Sequence, residues 1–435
     1  MDASGFVAIQ AAHRLGGFGS FRPSLAEAAR CYATLVGSKG TLAWSEAEKL
    51  PYPVNGWTGR AGAPHKLGTR APGVKEFKFR DTLLSLLAAG LDFDTVIDME
   101  DRRVRALHGP GHEICPTVCF NRTASALGRV LWHMPGALHK IGAQEFLGPF
   151  PDPDALPFAQ RSPKLVWRGN ITGRAGSGAA PILERFRFHR IFSEVERGKC
   201  DMAWAAARLG EFPRYRFVRR LSGTPLADVA FVHQPELHPR SESLMRPLQK
   251  DPMRQREQAR HKYIAVLRGA DLASSFFWTM NSGSLALVMD SPWESFASVH
   301  FHPWQHYVPF REDLSDLEER LAWCESHQAE CAAMTQAARE VCRWLERQDL
   351  REEADRAVVD GLRQRVSSST GKLHYELFGE ELRRSSKAES RPDRRAARRQ
   401  VGADQAAQDP VCLPQTADRK APAAREREPM GRRAG

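Results

Sequence analysis

The 435-residue sequence lacks a long hydrophobic run. Its longest apolar stretch, LLSLLAAGL at positions 83–91, is about half of the ~18 residues that suggest a membrane-spanning helix. The N-terminus lacks a basic start followed by an apolar core, which is the pattern of a signal peptide. The sequence as it stands therefore predicts a cytoplasmic protein without a transmembrane segment. A missing N-terminal leader would instead place the protein in the lumen of the secretory pathway.

The sequence also lacks the cysteine spacing of a zinc site, which needs two close pairs. Its eight cysteines are scattered, and Cys115 and Cys119 in CPTVC are the nearest pair. This pair is compatible with packing in a buried strand and, in an oxidising compartment, with a disulfide. We therefore predict no metal site.

Positive charge is concentrated at the C-terminal end of the chain. Residues 383–435 carry 14 basic and 7 acidic side chains, and therefore +7 of the net charge of +11. The segment is rich in Arg, Ala, Pro and Gln and poor in aromatic residues, a composition typical of disorder. We interpret it as a disordered basic tail, either solvated or in contact with anionic surfaces, and predict no specific nucleic-acid partner.

Segments with strand and helix patterns alternate through the rest of the chain. DTVIDM (94–99) and ICPTVCF (114–120) have the pattern of buried strands. After a proline-rich linker (148–164), further strands are predicted in KLVWRG, HKYIAVLRG, SLALVMD and HYVPF. Ser315 and Glu318 have the S-x-x-E spacing of a capping box before the last set of helices. Because strands separated by helices form parallel sheets, we predict an α/β fold of two Rossmann-like domains facing one cleft.

We divide the chain into five segments. They are a weakly defined N-terminal segment (1–75), an acceptor-side Rossmann-like domain (76–155), a donor-side Rossmann-like domain (160–345), a C-terminal helix that packs back on the fold (346–380) and the basic tail (383–435).

Two loops that follow predicted strands contain residues that could bind a phosphate group. Ligands of open parallel sheets bind beyond the carboxyl ends of the strands. Small residues there let main-chain N–H groups and arginines face an anion. A plain strand-to-helix loop and ordinary helix caps explain the same residues. The candidate donor-binding residues are Arg168, Gly169, Asn170, Thr172 and Arg174 in the first loop, and Arg268, Gly269, Asp271, Ser274 and Ser275 in the second.

Carboxylates follow two other predicted strands. Glu294 in DSPWESF can accept two hydrogen bonds from ribose hydroxyls, and it can equally be an exposed loop acid. Asp98, Glu100 and Asp101 crowd the end of VIDMED, where carboxylates serve as a general base or bind a metal. By spacing alone, this acidic segment also fits a solvated turn neutralised by the arginines that follow it.

The order of these motifs resembles the family 90 glycosyltransferases, which include capsule-associated (CAP10-like) xylosyltransferases and protein O-glucosyltransferases. The resemblance covers roughly residues 90–370, and the run PWQHYVPFREDLSDLEE is its most specific motif. It implies a GT-B architecture, in which the first domain binds the acceptor and the second binds the sugar nucleotide.

The resemblance further implies inverting, metal-independent transfer of a sugar of the xylose or glucose class from a UDP-sugar. The acceptor would be a hydroxyl of a glycan, glycolipid or protein, and no cofactor is expected. Asp101 matches the catalytic aspartate of the family, whereas Asp98 stands where relatives carry Asn. Glu294 matches a family glutamate that we place at the ribose, and His306 and Tyr307 are candidates for the border of the donor pocket.

Two positions depart from the glucosyltransferase pattern. Those members carry Arg where this chain has Ser275, and their phosphate-side Arg in the first loop lies a little later than Arg174. If neither arginine is replaced spatially, the leaving diphosphate is stabilised less. A catalytically silent relative that binds sugar nucleotides or glycans is therefore the alternative hypothesis.

Overall fold

The computed structural model describes eleven stretches of the chain, and the account below is confined to them. They are residues 2–16, 41–45, 49–53, 74–93, 95–98, 117–123, 129–133, 145–171, 188–232, 239–269 and 271–365. Their strands are β1 (Thr41–Ser45), β2 (Leu50–Pro53), β3 (Thr95–Asp98), β4 (Thr117–Cys119), β5 (Arg122–Thr123), β6 (Arg129–Leu131), β7 (Ser162–Gly169), β8 (Ala227–Val232), β9 (Gln249–Lys250), β10 (His261–Val266), β11 (Leu285–Met289), β12 (Trp293–Glu294) and β13 (Val308–Phe310).

The helices precede, separate and follow these strands. They are α1 (Ala3–Leu15), α2 (Val74–Ala88), α3 (Phe188–Glu196), α4 (Met202–Leu209), α5 (Pro213–Leu221), α6 (Pro239–Met245), α7 (Gln255–Gln258), α8 (Phe276–Asn281), α9 (Leu317–Ser326), α10 (Gln328–Glu346) and α11 (Gln348–Arg365). Within the described residues, no helix is both long and apolar enough to cross a membrane.

The larger sheet has six strands in the order β13-β11-β10-β7-β8-β9, and all neighbouring pairs are parallel. Read from β9 and numbered along the chain from β7, this is the 3-2-1-4-5-6 order of a Rossmann fold. The predicted α/β class is therefore confirmed. The order of the strands reverses between β7 and β10, and such a switch point opens a crevice beyond the carboxyl ends of the two strands.

The smaller sheet has the order β2-β1-β3-β4-β6. β3, β4 and β6 are parallel, whereas β1 is antiparallel to both β2 and β3. A further antiparallel pair, β5 with β12, joins the chain after β4 to the chain after β11. This two-stranded pair therefore connects segments that belong to different sheets.

Helix α11 packs on the smaller sheet although it follows the larger one in the chain. Its Val358, Val359 and Leu362 are buried in one cluster with Phe79 of α2 and Ile97 of β3. Burial of apolar surface is worth roughly 25 cal/mol per Å², so this packing stabilises the return of the chain. The two ends of the described chain are also tied together, because Arg14 Nη1 of α1 lies 2.6 Å from Asp355 Oδ1 of α11.

The capping box predicted at Ser315 and Glu318 is not formed, so that prediction was wrong. Helix α9 begins at Leu317, and its N-cap residue Asp316 makes no side-chain capping bond. The Glu318 carboxylate instead accepts hydrogen bonds from Arg220 Nε and Nη2 at 2.7 and 2.6 Å. The main-chain N–H of Ser315 donates to Asp313 Oδ1 over 2.9 Å. Glu318 is therefore paired with Arg220, and the main chain of Ser315 is bonded to Asp313, so the two residues do not cap the helix together.

Cys119 is a buried free thiol in β4, and burial raises its pKa. Its predicted neighbour Cys115 lies outside the described residues, as does the whole of the predicted basic tail 383–435.

Candidate functional site

The two loops predicted to bind phosphate lie side by side in the fold. β7 and β10 are adjacent parallel strands, with Leu165 opposite Tyr263 and Val166 opposite Ile264. Asn170 follows β7, and Arg268, Gly269 and Asp271 follow β10. The structure therefore brings these predicted residues together at the switch point of the sheet, where the strand order opens a crevice.

Arg214 ties the two loops together, and the sequence analysis missed it. Its guanidinium donates to the main-chain oxygens of Asn170, Leu267 and Arg268 over 3.1, 2.9 and 3.2 Å. The residue lies in the first turn of α5, directly after Pro213 at the first helical position. No sequence signal marks it, because it is 44 residues from one loop and more than 50 from the other.

The Arg214 guanidinium is a largely desolvated positive charge. Burial lowers its pKa to about 10, the nearby Asp271 carboxylate raises it, and Arg268 lowers it again. At neutral pH the group is still a cation. Its guanidinium carbon lies 5.7 Å from the centre of the Trp167 ring, a cation–π distance. A fixed positive charge therefore stands directly behind the ends of β7 and β10.

Arg168 points away from this edge. Its Nη1 and Nη2 donate to the main-chain oxygen and Oδ1 of Asp228 over 2.8 and 2.9 Å, and its Nε donates to Asp251 O over 3.1 Å. Lys250 also binds Asp228, and these partners lower the pKa of that carboxyl. The predicted contact of Arg168 with a donor stays untested, but its guanidinium is already engaged.

Gly169 is needed for packing at the end of β7. A Cβ placed on it would lie 2.6 Å from Cζ2 of Trp167, which is below any real contact distance. The Arg-Gly ending of this strand therefore reflects the close approach of the Trp167 indole. Trp167 is itself buried among the aromatic residues that support the sheet.

Arg268 is buried and paired. Its Nη2 lies 2.6 Å from Glu312 Oε1, and its Nε donates to Glu312 Oε2 over 3.0 Å. Glu312 follows β13, and Arg216 of α5 donates to its main-chain oxygen over 3.1 Å. The sequence analysis did not assign Glu312 to the site, although it belongs to the specific motif PWQHYVPFREDLSDLEE. This carboxylate partly neutralises the positive charge of the edge.

Ser274 and Ser275 precede the short helix α8, as the sequence predicted. Ser274 is exposed and Ser275 is half-buried. Ser275 is the N-cap of α8 but its hydroxyl makes no capping bond. The main-chain oxygen of Ser275 accepts from Thr279 N over 3.0 Å. The hydroxyl is therefore not used to cap the helix.

Adjacent residues after β4 contact two predicted donor carboxylates of the larger sheet. Asn121 Nδ2 donates to Asp271 Oδ2 over 2.6 Å, and Arg122 Nε donates to Glu294 Oε2 over 3.1 Å. Arg122 also donates to the main-chain oxygens of Arg14 and Arg129 over 3.1 and 2.9 Å. The carboxyl edge of the smaller sheet thus lies against the site edge of the larger sheet.

His306 and Tyr307 are largely part of the architecture. His306 is buried, and its Nδ1 accepts the His302 N–H over 2.8 Å, which closes the turn before β13. Burial lowers the pKa of His306 and raises that of Tyr307. The Tyr307 ring packs edge-on against Phe276 of α8 at 6.2 Å between centroids. Whether either residue borders a donor pocket stays a prediction.

Three predicted site residues, Asp101, Thr172 and Arg174, lie outside the described part of the chain. Asp98, three positions before Asp101, ends β3 and is fully buried. Its Oδ2 lies 3.4 Å from Nη2 of the equally buried Arg129. Asp98 therefore lies in the core of the smaller sheet, where Arg129 balances its charge.

Residues 220–351 match the model of glycosyl transferase family 90. Over this segment, the chain is similar to the family 90 glycosyltransferases. The matched segment contains the loop after β10, Glu294 and the turn before β13, whereas the loop after β7 and Asp101 lie outside it. The predicted resemblance is therefore confirmed on the donor-side half of the candidate site.

Curated relatives of this family 90-like chain include named O-glucosyltransferases. O-glucosyltransferase LpsA of Dichelobacter nodosus is 26% identical over 43% of this chain and 45% of its own length. Protein O-glucosyltransferase 3 of Homo sapiens is 34% identical over 16% of this chain and 14% of its own length. Protein O-glucosyltransferase 2 of Danio rerio is 30% identical over 19% of this chain and 17% of its own length. The chain thus spans less than half of the length of these relatives.

Proposed function

We propose that this protein is an inverting, metal-independent glycosyltransferase that uses a UDP-sugar. One observation carries the proposal: Asn170, Arg268, Gly269 and Asp271, chosen from sequence as donor contacts, meet beyond the switch point of a 3-2-1-4-5-6 sheet. That is where nucleotides bind in such sheets. The similarity to named O-glucosyltransferases supports the reaction class.

The second part of the proposal is a GT-B-type cleft. The contacts Asn121–Asp271 and Arg122–Glu294 join the carboxyl edges of the two sheets. An acceptor bound on the smaller sheet would therefore face a donor bound on the larger one. The acceptor is a hydroxyl of a glycan, glycolipid or protein, and the transferred sugar is of the xylose or glucose class.

The proposed reaction is a single in-line displacement. Asp101 takes the proton of the acceptor hydroxyl, the acceptor oxygen forms a bond to the anomeric carbon, and the bond from that carbon to UDP breaks. UDP leaves with the bonding electron pair, so its diphosphate gains negative charge. Fixed positive charge and N–H donors stabilise such a leaving group when they are in place before the reaction. In this proposal, Arg214 supplies the charge from behind the two loops, and Glu294 accepts hydrogen bonds from the ribose hydroxyls.

The test is UDP release from a panel of UDP-sugars with a glycan acceptor, with and without EDTA. We expect turnover with one hexose or pentose donor, unchanged by EDTA, and a loss of at least 10²-fold in Asp101→Asn. Undiminished turnover in that variant would exclude Asp101 as the base. An absolute requirement for Mn²⁺ would contradict the metal-independent mechanism.

A silent sugar-nucleotide binder is the second candidate, and specific contacts favour it. Ser275 replaces the arginine of glucosyltransferases, and both Arg168 and Arg268 already pair with carboxylates. Less charge is then left for a leaving diphosphate. Binding of UDP by calorimetry, with no transfer or hydrolysis of any UDP-sugar, would support this candidate over the enzyme.

A further inference from the structure

Arg122 and Glu294 stand directly opposite each other in the antiparallel pair of β5 and β12. Their side chains also meet, because Arg122 Nε donates to Glu294 Oε2 over 3.1 Å. Arg122 lies in the chain after β4 of the smaller sheet, whereas Glu294 lies in the chain after β11 of the larger one. A residue on the side of the smaller sheet therefore holds the carboxylate that the proposed function assigns to the donor ribose.

The outer nitrogens of Arg122 are already engaged by main-chain oxygens. Nη1 donates to Arg14 O and Arg129 O over 3.1 and 2.9 Å, and Nη2 donates to His13 O. His13 and Arg14 lie in the last turn of α1, where the carbonyl groups lack partners within the helix and carry its negative end. Because Arg122 is only 6% exposed, its guanidinium contacts no ligand itself and is fixed before one binds.

The Glu294 side chain is 29% exposed, and among the described residues only Arg122 donates a hydrogen bond to its carboxylate. The next residue, Ser295, is anchored to α1, since its main-chain oxygen lies 2.9 Å from His13 Nε2. Ser295 also shares one small cavity with Asp271 of the loop after β10. Glu294 is thus held in place, partly exposed, beside the proposed donor site.

We infer that Arg122 is a positioning residue for the donor, because it orients the Glu294 carboxylate to accept hydrogen bonds from the ribose hydroxyls. The inference rests on the proposed function and deepens it. A carboxylate accepts at both oxygens, so the bond from Arg122 Nε to Oε2 leaves Oε1 for a ligand. A glutamate that is already held loses less side-chain freedom when it binds than a free one does. Since Arg122 is tied to α1 and β6, recognition of the ribose by the larger sheet depends on the smaller one.

Two substitutions of Arg122 separate this role from a purely structural one. Along the side chain, the Cε methylene of lysine takes the place of the arginine Nε, and its Nζ takes the place of the guanidinium carbon. Arg122→Lys therefore keeps a charge near the main-chain oxygens but has no donor beside Glu294. Glutamine has its Nε2 where arginine has Nε. Arg122→Gln therefore keeps the donor beside Glu294 and loses the outer contacts.

The probes are UDP and 2′,3′-dideoxy-UDP, which differ only in the two ribose hydroxyls. Calorimetric titration of the full wild-type chain should give at least roughly tenfold tighter binding of UDP, because hydrogen bonds to a carboxylate are strong. Arg122→Lys should weaken UDP roughly tenfold and the dideoxy analogue by less than about threefold, so that most of the preference is lost. Arg122→Gln should retain most of the preference.

Arg14→Lys is the matched control. It removes an Nε donor from another buried arginine of the same region, but the bonds of Arg14 go to Leu131 O over 3.0 Å and to Asp355 Oδ1 over 2.6 Å instead of Glu294. The control should keep the full preference for UDP. Thermal unfolding of each variant identifies the folded proteins, and either Arg122 variant decides the inference by itself.

A full preference for UDP in Arg122→Lys, its loss in Arg122→Gln, or equal affinity of the wild-type protein for the two nucleotides would overturn the inference. Release of UDP from a UDP-sugar by the wild-type protein would in that case leave the proposed function intact. If the wild-type protein neither binds UDP nor releases it from any UDP-sugar, both are overturned.

Discussion

Arg214 Nη1 donates to the main-chain oxygen of Asn170 over 3.1 Å, while the same guanidinium binds the carbonyls of Leu267 and Arg268. One side chain thereby fixes the relative position of the loops after β7 and β10. A lysine has one point-like ammonium and cannot reproduce this planar fork of donors.

We predict that Arg214→Met lowers the affinity for UDP and the turnover of UDP-sugars, with a loss of roughly 10²-fold in kcat/KM. Arg214→Lys keeps the charge and should recover only part of that loss. Arg219→Met is the matched control, because Arg219 is exposed on the same helix. Calorimetry and steady-state kinetics provide the readout. Equal behaviour of Arg214→Met and Arg219→Met would contradict a positioning role.

The buried pair of Arg268 and Glu312 should be strongly coupled. Glu312→Leu leaves the buried Arg268 guanidinium without its carboxylate, so it should lower the free energy of unfolding by about 3–5 kcal/mol. Arg268→Met should lower it by less, because Glu312 is partly exposed and keeps Arg216 at 3.8 Å. The double variant removes both charges, and its loss should be clearly smaller than the sum of the two single losses. Denaturant unfolding of the four proteins measures this coupling. Strictly additive losses would show that the pair does not interact.

Asp355 should make the protein sensitive to acid. Arg14 and His133 outweigh the effect of burial and hold the pKa of this carboxyl at about 2, below its ordinary value of 3.8. Its stabilising contribution of roughly 2 kcal/mol is therefore complete above pH 3.8 and is lost as the pH falls towards 2. Between pH 5 and 2, the free energy of unfolding should fall less steeply with pH in Asp355→Asn than in the wild-type protein, although the variant is less stable at pH 7. Parallel pH profiles would argue against this ion pair.

We predict that His306 stabilises the fold and does not contact the donor. Its Nδ1 accepts a main-chain hydrogen bond, and an asparagine oxygen can take the same place. His306→Leu should therefore lower the free energy of unfolding by about 1–3 kcal/mol, and His306→Asn by less. Both variants should keep the wild-type KM for the UDP-sugar. A raised KM in His306→Asn would instead place the residue at the border of the donor pocket.

The strands of the larger sheet were predictable because each is a short apolar run between loop residues. β7, β10, β11 and β13 fall within KLVWRG, HKYIAVLRG, SLALVMD and HYVPF, apart from two residues by which β7 begins earlier. Ligand residues were sought at the ends of these strands, but the switch point between β7 and β10 depends on the strand order, which only the structure gives. β8, in contrast, was not identified, although its residues 227–232 are mostly buried.

The partners of the charged residues were not predictable. Nothing local distinguishes Arg168, which pairs with Asp228, from Arg214, which supports the site. The capping box failed for the same reason, since Arg220 is 98 residues away from Glu318 in the chain. Long-range hydrogen bonds override local signals wherever a long flexible side chain can reach a better partner.

The sequence by itself determined the α/β class, the positions of the main strands and the family resemblance, because these depend on local periodicity and on the order of motifs. Tertiary structure alone decided which side chains meet. Asn121 and Arg122 reach Asp271 and Glu294 across 150 and 172 residues. Such contacts follow from the way two sheets pack, and packing is set by the whole chain at once.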